Sequence, residues 1–143
     1  MFAGLVLAVV NSNIQAQTAS WYLELGVGQT VLDYKGSNHG VLGTTNKVES
    51  SDPSWTSSGF LGNALQFDGD DLVTIPNSKA LHLPGDMTIC ASFYIDKFNT
   101  DWVRLVGTME GTGGTNRNYG LWYNPTGITL FQIYAGRNRV GDA

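Results

Sequence analysis

The sequence predicts an all-β, antiparallel sandwich of jelly-roll type, and three observations carry the prediction. Short runs rich in β-branched and aromatic residues recur along the chain, turn chemistry separates them, and no stretch of helix length shows a 3.6-residue apolar period. Seven such runs at this spacing suit a sandwich or jelly roll. With 143 residues, the chain is the size of one domain and long enough to bury a core without disulfide or metal staples.

The elements follow in order. Residues 1 to 20 read as a signal-like or disordered leader: FAGLVLAVV (2 to 10) is apolar but too short for a bilayer span of about 20 residues. Small residues around Ala16 and Ala19 suit signal-peptide cleavage, whereas the usual basic n-region is missing. The domain is expected over 21 to 143, beginning with the strand WYLEL (21 to 25). Residues 35 to 63 are rich in Gly, Ser, Thr and Asn and are expected to form a surface excursion pinned by Trp55 and Phe60. Then come ALQF (64 to 67) and LVTIP (72 to 76) across an Asp68-Gly69 turn, followed by MTICASFYI (87 to 95) after Pro84-Gly85. VRLVGTM (103 to 109), YGLWY (119 to 123) and ITLFQIY (128 to 134) close the set, with Gly113-Gly114 and Pro125-Thr126-Gly127 between them. Leu65 with Phe67, Val73 with Ile75, and Leu121 with Tyr123 would each share a face, the alternation of a half-buried antiparallel sheet.

Composition narrows the function classes. Charged residues make up 14% of the chain and the net charge is -4, so phosphate backbones and anionic lipids are not attracted, and neither nucleic acid nor membrane insertion is expected. The one cysteine, Cys90, excludes an intrachain disulfide and any Cys-based zinc arrangement. Its place in a strand predicts a small buried filler.

The ordered motifs resemble the laminin G-like, concanavalin A-like lectin/glucanase jelly rolls, in their bacterial and environmental branch. The first motif stands here as Trp21, Glu24, Gly26, Gly28, Asp33, Gly36, Asn38, His39 and Gly40. GFLGNALQFDGDDLVTIPNS (59 to 78), MTICASFYI and NRNYGLWYNPTGITLFQIYAG (116 to 136) follow in the family's order. Leu25 and Leu72 depart from its pattern, Leu72 where an aromatic is common. The family's closing strands do not follow Arg139, so the resemblance implies a sandwich missing its last strands and open to self-association through exposed sheet edges.

Candidate chemistry is sparse. Asp68, Asp70 and Asp71 invite comparison with the carboxylate pair of a retaining glycosidase, held about 5 Å apart. The family's enzymes use paired glutamates, whereas Glu24, Glu49 and Glu110 are scattered, so a capped turn is expected and no enzyme activity. Gly111-Thr112-Gly113-Gly114 lacks the lysine and helix of a phosphate loop and reads as a hairpin. A binding reading fares better. Trp55, Trp102 and Tyr119 offer rings for stacking on a sugar, and Asn116, Arg117, Asn118, Asn138 and Arg139 offer loop hydrogen bonds. The arginines all lie after residue 103, and that part is locally basic.

The resemblance also implies calcium. Its matching loop, here 33 to 40, holds the ion through the aspartate, carbonyls near the asparagine and an acidic residue from elsewhere, giving Asp33 and Asn38 with Asp68 or Asp70 as the expected ligands. The competing expectation is that Asp33 and Asn38 satisfy turn amides. Together these readings point to a secreted or cell-surface module that binds a glycan or protein ligand in an adhesion or accessory role. A glycoside hydrolase fragment on the same fold, or a structural interaction domain of a surface or virion protein, is the alternative.

Overall fold

The computed structural model describes residues 2–3, 7–11, 17–60, 62–83, 85–98, 100–108 and 118–133. Among them the regular structure is β, with one short 3-10 turn at Lys79–Leu81 and no α-helix, and all strand pairs are antiparallel. No helix among the described residues is long and apolar enough to cross a membrane. The chain divides into two compact units, Met1–Asp96 and Lys97–Ala143.

Among the described residues the first unit holds three small sheets. In one, β1 (Phe2–Ala3), β7 (Gly62–Gln66) and β6 (Ser54–Gly59) run in the order β1-β7-β6. In a second, β2 (Leu7–Asn11) lies between β3 (Gln17–Trp21) and β9 (Met87–Cys90). The third has β5 (Gly40–Leu42) between β4 (Thr30–Val31) and β8 (Val73–Thr74). Among the described residues, Ala19, Trp21, Leu23, Val31, Leu42, Ala64, Leu65 and Leu81 form its buried apolar core. The second unit is the sheet β10 (Val103–Gly107), β11 (Tyr119–Tyr123) and β12 (Thr129–Ile133), with Tyr119 and Tyr123 buried.

Several expectations change here. The boundary after residue 20 cuts through β3, in which Ala19, Ser20 and Trp21 are all buried, so 17 to 20 belong to the packed unit. Register ties the apolar segment before it to the same sheet, Val9 facing Ala19 on one side and Ile89 on the other. The first strand ends at Trp21 rather than at residue 25, because Leu23 takes a left-handed conformation (φ 56°) that turns the chain and buries its side chain. The roughly 1–2 kcal/mol cost of that conformation is comparable to the gain from burying a leucine.

The 35 to 63 excursion is partly sheet. It contains β5 and β6, and Trp55 sits in β6 opposite Leu65, its indole N–H donating to the Gly28 carbonyl at 2.8 Å. Phe60 is 87% exposed and pins nothing. Gly26 (φ 70°) is a close approach: a Cβ there would lie 2.6 Å from Nδ2 of Asn63, which donates to the Glu24 carbonyl. The expected strand 87 to 95 is shortened to β9, and Cys90 is exposed, because burial alternates along β9 and Thr88 and Cys90 take its open side.

Candidate functional site

The 33 to 40 loop is organised by one carboxylate. Asp33 Oδ1 accepts from the Ser20 and Lys35 amides, each at 3.0 Å, and Oδ2 accepts from the Asn38 amide (3.1 Å) and the Asn38 side chain (2.9 Å). The Asp33 amide donates to Nδ1 of His39, and the Asn38 carbonyl accepts the Trp21 indole N–H at 2.8 Å. Asp33 and Asn38 are 4% and 8% exposed. Burial alone would raise the Asp33 carboxyl, but the donors from Ser20, Lys35, Gly36 and Asn38 outweigh it and hold the group at about 2 instead of 3.8. Each oxygen accepts two protein donors, so Asp33 serves as the anchor of its turn. Asp33 and Asn38 form a buried knot beneath an otherwise exposed loop, joining the end of β3 to the chain before β5.

The other expected ligands lie elsewhere. Asp68 and Asp70 group with Asp71 in the turn between β7 and β8, ligand oxygens of all three falling within 4.8 Å of one another. This is the one such carboxylate group among the described residues, and Asp33 is not in it. Asp71 Oδ2 accepts the Asp68 amide at 2.7 Å. Burial, with the charges of Asp68 and Asp70 adding to it, raises the Asp71 carboxyl. The turn is thus capped by its own aspartate, as expected, while three acidic groups crowd at the surface. Glu49 is tied to Thr44 and Thr45, whose amide and hydroxyl donors lower its carboxyl below the ordinary range.

The expected sugar contacts separate as well. Trp55 is half-buried and held by its bond to Gly28. Tyr119 is 5% exposed, a core residue of its sheet, so it offers no stacking face; the cause is its position on β11, between β10 and β12. Trp102 is 44% exposed just before β10. Asn118 is half-buried, its amide donating to the Thr108 hydroxyl. Asn116, Arg117, Asn138 and Arg139 lie outside the described residues, as do Glu110 and the 111 to 114 hairpin.

Two features escaped the sequence reading. In the second unit Arg104 and Trp122 are register partners, the guanidinium carbon 5.5 Å from the indole centroid, a cation–π distance. Glycines make room for them: a Cβ on Gly120 would lie 2.5 Å from the Trp122 indole nitrogen, and one on Gly107 would lie 3.0 Å from Arg104 Cδ. The signal was a glycine two residues before a tryptophan on one strand face. In the first unit an open cleft of about 580 Å³ is lined by Phe60, Phe93 and Tyr94 together with Ser58 and Ser92. Phe60 and Tyr94 (60% exposed) turn their rings to solvent. Ser58 and Phe60 stand at the β6–β7 turn, and the other three follow β9, a meeting that nothing local in either segment announces.

In comparisons with protein-family models, curated proteins and solved structures, nothing matches this chain.

Proposed function

We propose that the chain is a non-catalytic, carbohydrate- or ligand-binding module of a secreted or cell-surface protein, on a laminin G-like, concanavalin A-like β-sandwich. The observation that carries this reading is the aromatic cleft of the first unit. Its volume falls in the range of small-molecule sites, and aromatic residues with serines beside them suit the apolar face and polar edge of a sugar. The antiparallel all-β architecture is in keeping with the resemblance. Trp102 is a second exposed ring, on the other unit.

A glycan array probed with the full chain tests the reading. Binding is expected, with Tyr94→Ala reducing it by at least about tenfold, as removal of a stacking ring at a hot spot does. Loss in Trp102→Ala with Tyr94→Ala unaffected would move the site to the second unit. Release of reducing sugar from β-glucans without array binding would favour the glycoside hydrolase reading. Calcium belongs to the proposal at Asp68, Asp70 and Asp71, which offer the hard oxygen donors it prefers. With an extracellular-type Kd of about 0.1–1 mM, roughly 2 mM calcium adds about 0.6–1.8 kcal/mol. The melting temperature is expected to rise by a few degrees in calcium relative to EDTA, and Asp70→Asn to abolish the rise. Overlaid melts would remove calcium from the reading.

A further inference from the structure

Nineteen consecutive residues, 118 to 136, carry no charge, and they include both strands of the β11–β12 hairpin. Strand β12 is an edge of its sheet among the described residues, pairing only with β11 in unbroken register from Tyr119↔Ile133 to Tyr123↔Thr129. Protected edges carry lysine, proline or a bulge. Thr129–Ile133 has none of these. Leu130, Phe131 and Ile133 are 42%, 43% and 59% exposed, although neighbouring positions on a strand point to opposite faces.

The hairpin fixes which main-chain groups are open. The Asn124 amide donates to the Ile128 carbonyl at 3.0 Å, so alternation along the ladder turns the main chain of Leu130 and Gln132 toward β11. The N–H and C=O groups of Thr129, Phe131 and Ile133 face the open edge. A second β12 laid antiparallel about a two-fold axis through Phe131 sets Phe131 against Phe131 and Thr129 against Ile133. Each of those pairs exchanges both N–H···O bonds, using all the outward groups of the strand. The two Phe131 rings then fall on one face, flanked by Leu121 of each hairpin, its register partner across β11 and β12. At the two-fold axis such an isologous contact sets residue 131 against its own copy, so a charge there would repel itself. There is none.

We propose that β12 is a homodimerisation edge, with a second copy of this chain as its occupant and the two-fold axis at Phe131. The test uses the full chain, Phe131→Lys, Phe131→Glu and Thr129→Pro in sedimentation velocity, with circular dichroism to follow the fold. The unmodified chain is expected to sediment at twice its 15.4 kDa mass at tens of micromolar. Phe131→Lys and Phe131→Glu each place like charges opposite one another and are expected to run as monomers, while their equimolar mixture returns to the dimer mass. Thr129→Pro removes an outward N–H without touching the β11 ladder, so it is expected to be a folded monomer even where a charged variant fails to fold. A monomeric unmodified chain, an open-ended aggregate in place of a dimer, a dimer that survives Thr129→Pro, or folded charged variants whose mixture stays monomeric would overturn the proposal.

Discussion

Asp33→Ala is expected to lower the unfolding free energy by about 3–5 kcal/mol, because it strands several amide donors at about 1–3 kcal/mol for each that is buried. The Ser20 amide and the Asn38 side chain donate to this carboxylate from buried positions, and an alanine methyl leaves them unsatisfied. Asp33→Asn keeps the shape but turns an amide donor toward groups that are themselves donors, so most of the loss is expected to remain. Urea denaturation measures both, and a shift below about 1 kcal/mol would show that the loop tolerates losing its anchor. The same carboxyl sets an acid limit. Its folded value of about 2 lies below the ordinary 3.8, so the unfolded chain takes up the proton first as pH falls. The contribution of about 2 kcal/mol is complete above about pH 4 and is lost progressively toward pH 2. Asp33→Asn is expected to lack that part of the acid dependence, which a pH series of urea midpoints reads directly.

Trp21→Ala is expected to cost a similar 3–5 kcal/mol, because it empties the place of one of the largest fully buried side chains and removes the indole N–H bond to Asn38. Trp21→Phe separates the two contributions: it keeps most of the ring volume and leaves the Asn38 carbonyl without that donor, a loss of about 1–3 kcal/mol. Trp21 and Asp33 both bond to Asn38, so their effects should not add. A double-mutant cycle is expected to give a coupling of about 0.5–3 kcal/mol between Trp21→Phe and Asp33→Asn. Strict additivity would mean that Asn38 is held by other contacts. Against a total stability of about 5–15 kcal/mol, either alanine variant alone brings the chain close to unfolding at 37 °C.

How far the sequence could be read depends on the range of the interaction concerned. Period-2 patterning and β-branched, aromatic runs are local properties, and they located β7, β10, β11 and β12 within a residue or two. Turn chemistry is local too, and it anticipated the aspartate-capped turn at Asp68 to Asp71. The first motif drew attention to Asp33 and Asn38, but two roles were open for them, turn anchor or cation ligand. The anchor role rests on the Ser20 amide, which donates to Asp33 from 13 residues away, and on the Trp21 indole, which donates to the Asn38 carbonyl from 17 residues away.

Long-range pairing decided the rest. Residues 7 to 11 have the composition of a leader, yet their place is between Gln17–Trp21 and Met87–Cys90, and no feature of an apolar run names its partner strands. Phe60 and Tyr94 form one cleft only because the β6–β7 turn meets the segment after β9. Tyr119 and Trp102 look alike as ring-bearing candidates in sequence, but a place on the central strand of its sheet buries the one and a loop position exposes the other. The sequence by itself determined strand propensity, turn positions and the absence of charge along β11 and β12. Tertiary structure alone decided which edges stay open and which polar groups are already satisfied, because a side chain's exposure and a carboxylate's free lone pairs depend on neighbours that the local pattern does not encode.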